Sequence, residues 1–197
     1  MKYKLADRVH KVQPSFTLQM ATRAAEMRAE GIDVINFSVG EPDFNTPPHI
    51  IAAGKKAMDD GFTKYTAGPG MIEFRKAICE KLERENGITY EPADILVSNG
   101  EKQSLYNVCQ VLFDRGDEVI VFRPYWVSFP EFVRLADAEP ILVDTIAENN
   151  FEPDFDDLEK KLSPKVKGVI LNSPSNPTGG IWREEAIVEG IEREIWN

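Results

Sequence analysis

The stretch Gly168-Val-Ile-Leu-Asn-Ser-Pro-Ser-Asn-Pro-Thr-Gly-Gly180 decides the fold of this chain. Val169 to Leu171 is a short apolar, β-branched run, which predicts a buried strand. Pro174, Pro177, Gly179 and Gly180 then forbid both strand and helix, so the chain must turn out of the sheet. Open α/β folds bind ligands just past the carboxyl ends of their strands. Two amides, Asn172 and Asn176, stand in that position. Pro177 pushes the preceding Asn176 towards an extended backbone and so aims its carboxamide. The same residues also suit an ordinary strand-to-helix turn in which asparagine serves turn chemistry.

The upstream segments repeat the pattern. Gly116-Asp-Glu-Val-Ile-Val-Phe122 predicts another buried strand, and Arg123-Pro-Tyr-Trp-Val-Ser-Phe-Pro130 leaves its carboxyl end. Trp126 therefore sits in a loop, where its indole can stack on a planar ring or anchor the core. Ile95-Leu-Val-Ser-Asn-Gly-Glu-Lys-Gln-Ser104 predicts a strand over Ile95 to Val97 that runs straight into a helix. Ser98 or Asn99 can cap that helix, and Leu105, Val108, Cys109 and Leu112 form its buried stripe. Its first turn offers unpaired N–H donors and a positive dipole end, a ready anion site that Gly100 lets an anion approach closely. Lys102 reads as a ligand for such an anion or as a solvated lysine. A helix over Glu131 to Leu135, a strand over Pro140 to Val143 and a short capped helix over Phe151 to Leu162, with a solvated charged face, complete the alternation. A last helix from Arg183 to Glu194 and a strand starting at Ile195-Trp196 are expected after the turn. The fold class is therefore α/β: a mostly parallel sheet with helices on both faces.

Towards the amino terminus, residues 1–16 read as an arm. Thr17 to Glu30 predicts a helix stopped by Gly31, and Val34 to Ser38 alternates like a short strand. Gly40-Glu-Pro-Asp-Phe-Asn-Thr-Pro47 is a shaped loop, with Thr46 as the expected N-cap of a helix ending near Asp60. Tyr65-Thr-Ala-Gly-Pro-Gly70 is a second loop. It leads into a helix from Met71 to Glu85 whose Phe74, Ile78 and Leu82 predict a core stripe.

Composition excludes some classes. The 197 residues carry a formal net charge of −10, which argues against a sequence-independent nucleic-acid binder. No apolar run reaches membrane-spanning length, and no signal-peptide apolar region opens the chain, so no membrane association is expected. Cys79 and Cys109 fall among apolar residues on helix faces and read as buried free thiols, which suits a reducing cytoplasm. His10 and His49 have no ligand spacing, and no metal is expected. No G-x-G-x-x-G follows a strand, which disfavours a dinucleotide site.

Ser173-Pro-Ser-Asn-Pro-Thr-Gly179 resembles the SPxNPTG signature of class I aminotransferases, the pyridoxal-phosphate enzymes of the aspartate aminotransferase type. Gly40-Glu-Pro-Asp-Phe44, Tyr65 to Gly70, Gly100-Glu-Lys102 and Pro124-Tyr-Trp-Val-Ser-Phe-Pro-Glu131 resemble further segments of that family, in the family's order. The resemblance implies pyridoxal 5′-phosphate as cofactor, and amino-acid and 2-oxo-acid substrates. It implies that Gly100, Glu101 and Lys102 form a phosphate cup, that Trp126 packs on the pyridine ring and that Asn176 bonds its phenolic oxygen. Trp126 and Asn176 would also meet substrate, the backbone N–H of Gly40 would face the substrate's α-carboxylate, and Tyr65 would reach the phosphate of a neighbouring subunit in a homodimer. Glu101 departs from the small residue usual there, so its carboxylate must point away from the phosphate.

The resemblance further implies that residues 1–45 are an arm and small-domain segment, and 46–197 a truncated large, cofactor-binding domain. The family places its Schiff-base lysine, its pyridine-nitrogen aspartate and its carboxylate-binding arginine beyond the NPTG turn. No lysine follows Lys167 here, so no catalytic residue is assigned and the chain is expected to be the amino-terminal part of the enzyme, without turnover alone. A β-lyase or aminocyclopropane-carboxylate synthase of the same fold, or a silent cofactor-binding or interaction module, are the alternatives.

Overall fold

The computed structural model describes residues 3–38 and 40–188. The chain divides into two compact units, Met1–Arg23 with Leu105–Asn197, and Ala24–Ser104.

The first unit holds the sheet. β1 (Glu118–Arg123), β2 (Glu139–Ile146), β3 (Glu152–Pro153) and β4 (Val166–Ile170) lie in the order β3-β2-β1-β4. β1 runs parallel to both β2 and β4, with Val121 level with Leu142 on one side and Ile170 on the other. Among the described residues only the two-residue β3, which the sequence did not suggest, is antiparallel, against the end of β2. The predicted mostly parallel sheet is thus present. Parallel neighbours need crossovers, and the helices α5 (Phe129–Leu135) and α6 (Phe155–Lys161) lie in them.

β1 is buried on both faces because its apolar residues alternate between two packed layers. Ile120 and Phe122 pack with Val143, Leu158 of α6 and Trp182. Val121 packs on the opposite face with Cys109, Phe129, Phe132 and Ala136. α6 begins where the Asp154 carboxylate accepts the Asp157 N–H at 3.1 Å. Its first turn is acidic and its last turn basic, both in the sense that the helix dipole favours. Lys161 closes the far end by donating to the Leu142 carbonyl at 2.7 Å, which ties α6 to β2.

The second unit is helical. It contains the last part of α1 (Phe16–Ala29) from Ala24 on, α2 (Pro48–Asp59), α3 (Ile72–Asn86) and the first turn of α4 (Gly100–Leu112). Four sequence expectations are corrected here. Val34 to Ser38 is not a strand: the Asn36 carboxamide takes the Ser38 N–H and hydroxyl, a local closure that competes with ladder pairing, and Ile35 and Phe37 are exposed. Ile95 to Val97 is not a strand either. Val97 N–H bonds to the Pro69 carbonyl, Leu96 is exposed, and an apolar run without a pairing partner stays extended coil. Pro47, not Thr46, occupies the N-cap of α2, with no side-chain bond. The stripes were overdrawn: Phe74 of α3 and Val108 and Leu112 of α4 are exposed, Ile78 and Leu82 half-buried.

Cys109 is buried as expected and burial pushes its thiol up, whereas Cys79 is only half-buried. After the turn, 184–188 is helical. The rest of the predicted last helix, and the strand expected at Ile195-Trp196, lie outside the described residues.

Candidate active site

The organising turn leaves the carboxyl end of β4, beside the ends of β1 and β2. Its backbone is closed by its own side chains. Asn172 Oδ1 accepts the Asn176 N–H at 2.8 Å, and Ser173 Oγ accepts the Trp182 N–H at 3.0 Å. The Gly179 N–H bonds to the Ser175 carbonyl at 2.8 Å, and the Ser175 N–H to the Gly180 carbonyl at 2.9 Å. The bonds Ser173–Pro174 and Asn176–Pro177 are cis, as is Arg123–Pro124. Asn172 is thereby spent on the fold. The Asn176 carboxamide is exposed and makes no hydrogen bond among the described residues, which leaves it available to a ligand.

A small hollow lies under this rim. Asn172, Ser175 and Asn176 line one wall, and Tyr125, Thr145 and Trp182 others. Its cavity volume is about 10 Å³, room for about one water, so a planar ring would lie over it and not in it. The Trp182 indole Nε1 is buried without a hydrogen-bond partner, its ring meeting Phe122 edge-on at 5.1 Å.

Trp126, in the loop after β1, is half-buried. Its ring stands edge-to-face with Phe129 at 5.5 Å and with Phe132 at 6.0 Å. Packing of α5 thus fixes the indole plane, and Trp126 borders the same cluster as Val121 and Cys109. The structure brings Tyr125, its neighbour, into the hollow with Asn176.

In the Ala24–Ser104 unit, α4 opens at Gly100, whose φ of +74° is left-handed. A Cβ there would meet nothing within 4 Å, so conformation and not space calls for glycine. The Gln103 side chain reaches back to the Asn99 N–H at 2.5 Å, while Ser98 and Ser104 pair through their hydroxyls. Neither the Ser98 nor the Asn99 side chain makes a cap bond to the first turn among the described residues. The side chains of Glu101 and Lys102 are exposed. The Gly100 N–H is already given to the Ser98 carbonyl at 2.9 Å, so the anion-site chemistry rests on the first helical turn that follows it. Gly40 has open space around its Cα, and Tyr65 is fully exposed.

The sequence did not signal what holds the turn in place. Glu152 is 3% exposed, and its two oxygens accept Arg183 Nε at 2.7 Å and Nη2 at 2.6 Å. Those bonds, joined by one from the Arg183 N–H, hold its carboxyl at about 2 against the opposing effect of burial. In the sequence, Glu152 is one acid in an acidic stretch, and its partner lies 31 positions away.

Among the described residues, no helix is long and apolar enough to cross a membrane. The family model for "Aminotransferase class I and II" matches residues 32–193. An aspartate aminotransferase of Geobacillus stearothermophilus is 47% identical over 93% of this chain and 47% of its own length. An aspartate/prephenate aminotransferase of Cereibacter sphaeroides is 48% identical over 98% of this chain and 49% of its own. The solved structure of Thermus thermophilus aspartate aminotransferase with maleate superposes at a TM-score of 0.90, at 40% identity, over 98% of this chain and 50% of that one. The chain thus spans about half the length of the relatives it matches.

Proposed function

Because the chain belongs to the class I and II aminotransferases, we propose that its residues form the amino-terminal part of a pyridoxal-phosphate-dependent aminotransferase. The enzyme moves an amino group between an aspartate-like or aromatic amino acid and a 2-oxo acid. One observation carries this reading: the NPTG turn lies at the carboxyl ends of three parallel strands with the Asn176 carboxamide unengaged. When bound, pyridoxal phosphate supplies the aldehyde that takes up the amino group and a ring that accepts electrons from the substrate.

The chain's own part is binding and orientation. The first turn of α4 at Gly100, Glu101 and Lys102, with the helix dipole, would hold the phosphate, and the Gly100 N–H would have to leave the Ser98 carbonyl to join it. The Glu101 carboxylate turns to solvent and so avoids like-charge repulsion. Asn176 donates to the ring's phenolic oxygen and meets the substrate carboxylate, and Trp126 flanks the ring. Gly40 offers its N–H to the substrate's α-carboxylate. Tyr65 serves the partner subunit of a homodimer. In this reading residues 1–45 are the arm and small-domain segment, 46–197 belong to the large domain, and two unbridged thiols suit a reducing cytoplasm.

The 197 residues hold no lysine after Lys167, and we expect no turnover from them alone. The test is equilibrium dialysis of the purified polypeptide against pyridoxal phosphate, followed by borohydride reduction and an amino-transfer assay. Asn176→Ala is expected to weaken binding by roughly tenfold, the worth of one hydrogen bond to a charged oxygen. Binding indifferent to Asn176→Ala would remove the site. A stoichiometric reduced adduct with amino-acid turnover would remove the expectation of inactivity.

A further inference from the structure

We propose that Glu152 is a positioning residue for Asn176: through Arg183 it clasps the turn of residues 172–183 to the segment 149–152 and so fixes where the Asn176 carboxamide stands. This rests on the reading of Asn176 as a cofactor ligand.

The clasp is built from both sides. Besides the guanidinium fork, Glu152 Oε1 accepts the Arg183 backbone N–H at 3.1 Å, and Oε2 accepts Asn149 Nδ2 at 2.9 Å. The carboxylate is therefore fully engaged, although it is buried and its partner's side chain is 67% exposed. Two residues further in, Asn150 Nδ2 donates to the Ile181 carbonyl at 3.0 Å. At Gly180 the two backbones touch, since a Cβ there would lie 2.6 Å from the Asn150 carbonyl oxygen. Asn150 and Phe151 carry φ values of +53° and +59°. Such conformations persist in non-glycine residues only where the surroundings over-determine them, and for phenylalanine that is a marked departure. Inside the turn, the bonds from the Trp182 N–H to Ser173 Oγ and from the Asn176 N–H to Asn172 Oδ1 carry the constraint from Arg183 back to the carboxamide. A bidentate Arg–carboxylate pair fixes orientation as well as distance, which one lysine could not do.

Two readouts test this. The first is amide hydrogen exchange of the polypeptide without cofactor, in Glu152→Gln and Arg183→Lys. Arg183→Lys keeps the charge at an exposed side chain and so is expected to fold whatever becomes of Glu152→Gln. Exchange at Asn176, Gly179 and Trp182 is expected to rise about tenfold in Glu152→Gln and less in Arg183→Lys, with Val119 to Phe122 unchanged. The second is the dialysis Kd for pyridoxal phosphate in a double-mutant cycle. Glu152→Gln is expected to raise it several-fold in the parent chain and to add nothing in an Asn176→Ala background. Unchanged exchange in both variants, or a Glu152→Gln penalty that persists undiminished without the Asn176 side chain, would overturn the proposal. Should the parent chain bind no pyridoxal phosphate, the reading of Asn176 fails, and the exchange measurement alone decides the clasp.

Discussion

Asn172 and Asn176 are four positions apart and do different work. Asn172 uses its carboxamide oxygen on the Asn176 N–H, inside the fold, while the Asn176 carboxamide faces outward. Truncation should therefore separate stability from binding. Asn172→Ala is expected to lower unfolding stability by about 1 kcal/mol, because it orphans a backbone donor in a turn. Asn176→Ala should stay within roughly 0.5 kcal/mol of the parent, as exposed substitutions do, yet lose cofactor affinity. Denaturant unfolding beside dialysis would show the split. Glu152 adds a pH dependence of known sign. Its carboxyl falls from the ordinary 4.5 to about 2 on folding, so its ionised form stabilises the fold. The groups facing it are Arg183, which stays charged throughout, and Asn149, which does not titrate. The stability advantage of the parent over Glu152→Gln should be complete above pH 4.5. It should shrink as pH falls from there towards 2. Equal pH dependence in the two proteins would show that Glu152 is not linked to folding.

The elements show which sequence signals carry weight. α6 is legible because it states itself locally: Asp154 caps it, Asp156 and Asp157 open it, and Lys160 and Lys161 close it. Asp154→Ala should accordingly lower stability by about 1 kcal/mol, and circular dichroism with urea unfolding would measure it. β1 is legible because a continuous apolar β-branched run suits a strand covered on both faces, as β1 is. β4 pairs with β1 but lies at the end of the strand order and is only half-buried, and Leu171, expected within it, is exposed. Ile95 to Val97 carries the same local signal but has no ladder in its own unit, so composition misleads there. A strand is a pairing event, which a single segment cannot announce. The stripes of α3 and α4 fail for a related reason. Periodicity shows which face is apolar and leaves open what covers it. At the site, the turn was visible because prolines fix the backbone locally and glycines break regular structure. The left-handed φ of Gly100 was not, since the sequence offered close approach of an anion as the reason for that glycine. The Glu152–Arg183 clasp was not, because nothing in either residue's neighbourhood encodes a partner 31 positions away.

Across the whole molecule, burial is uneven. Apart from Ala24, every buried apolar side chain among the described residues belongs to the unit of Met1–Arg23 and Leu105–Asn197. Ile120, Val121, Val143 and Leu158 there are fully covered, whereas α2 and α3 in the Ala24–Ser104 unit contain no buried residue. Apolar burial at roughly 25 cal/mol per Å² is what opposes local opening, so the two units should open at different cost. The cysteines report on this, one in each unit. Cys109 is 3% exposed, and burial pushes its thiol up, which lowers the thiolate fraction as well as access. Cys79 of α3 is half-buried in the unit that lacks a dense core. Disulfide-exchange labelling of the native polypeptide should modify Cys79 first, by roughly tenfold or more in rate, with Cys109 reacting fully only in denaturant. Limited proteolysis should agree, cutting within 24–104 while peptides that span β1 stay intact. Equal labelling rates for the two thiols would mean that the sheet unit opens as readily as the helical one, against its denser packing.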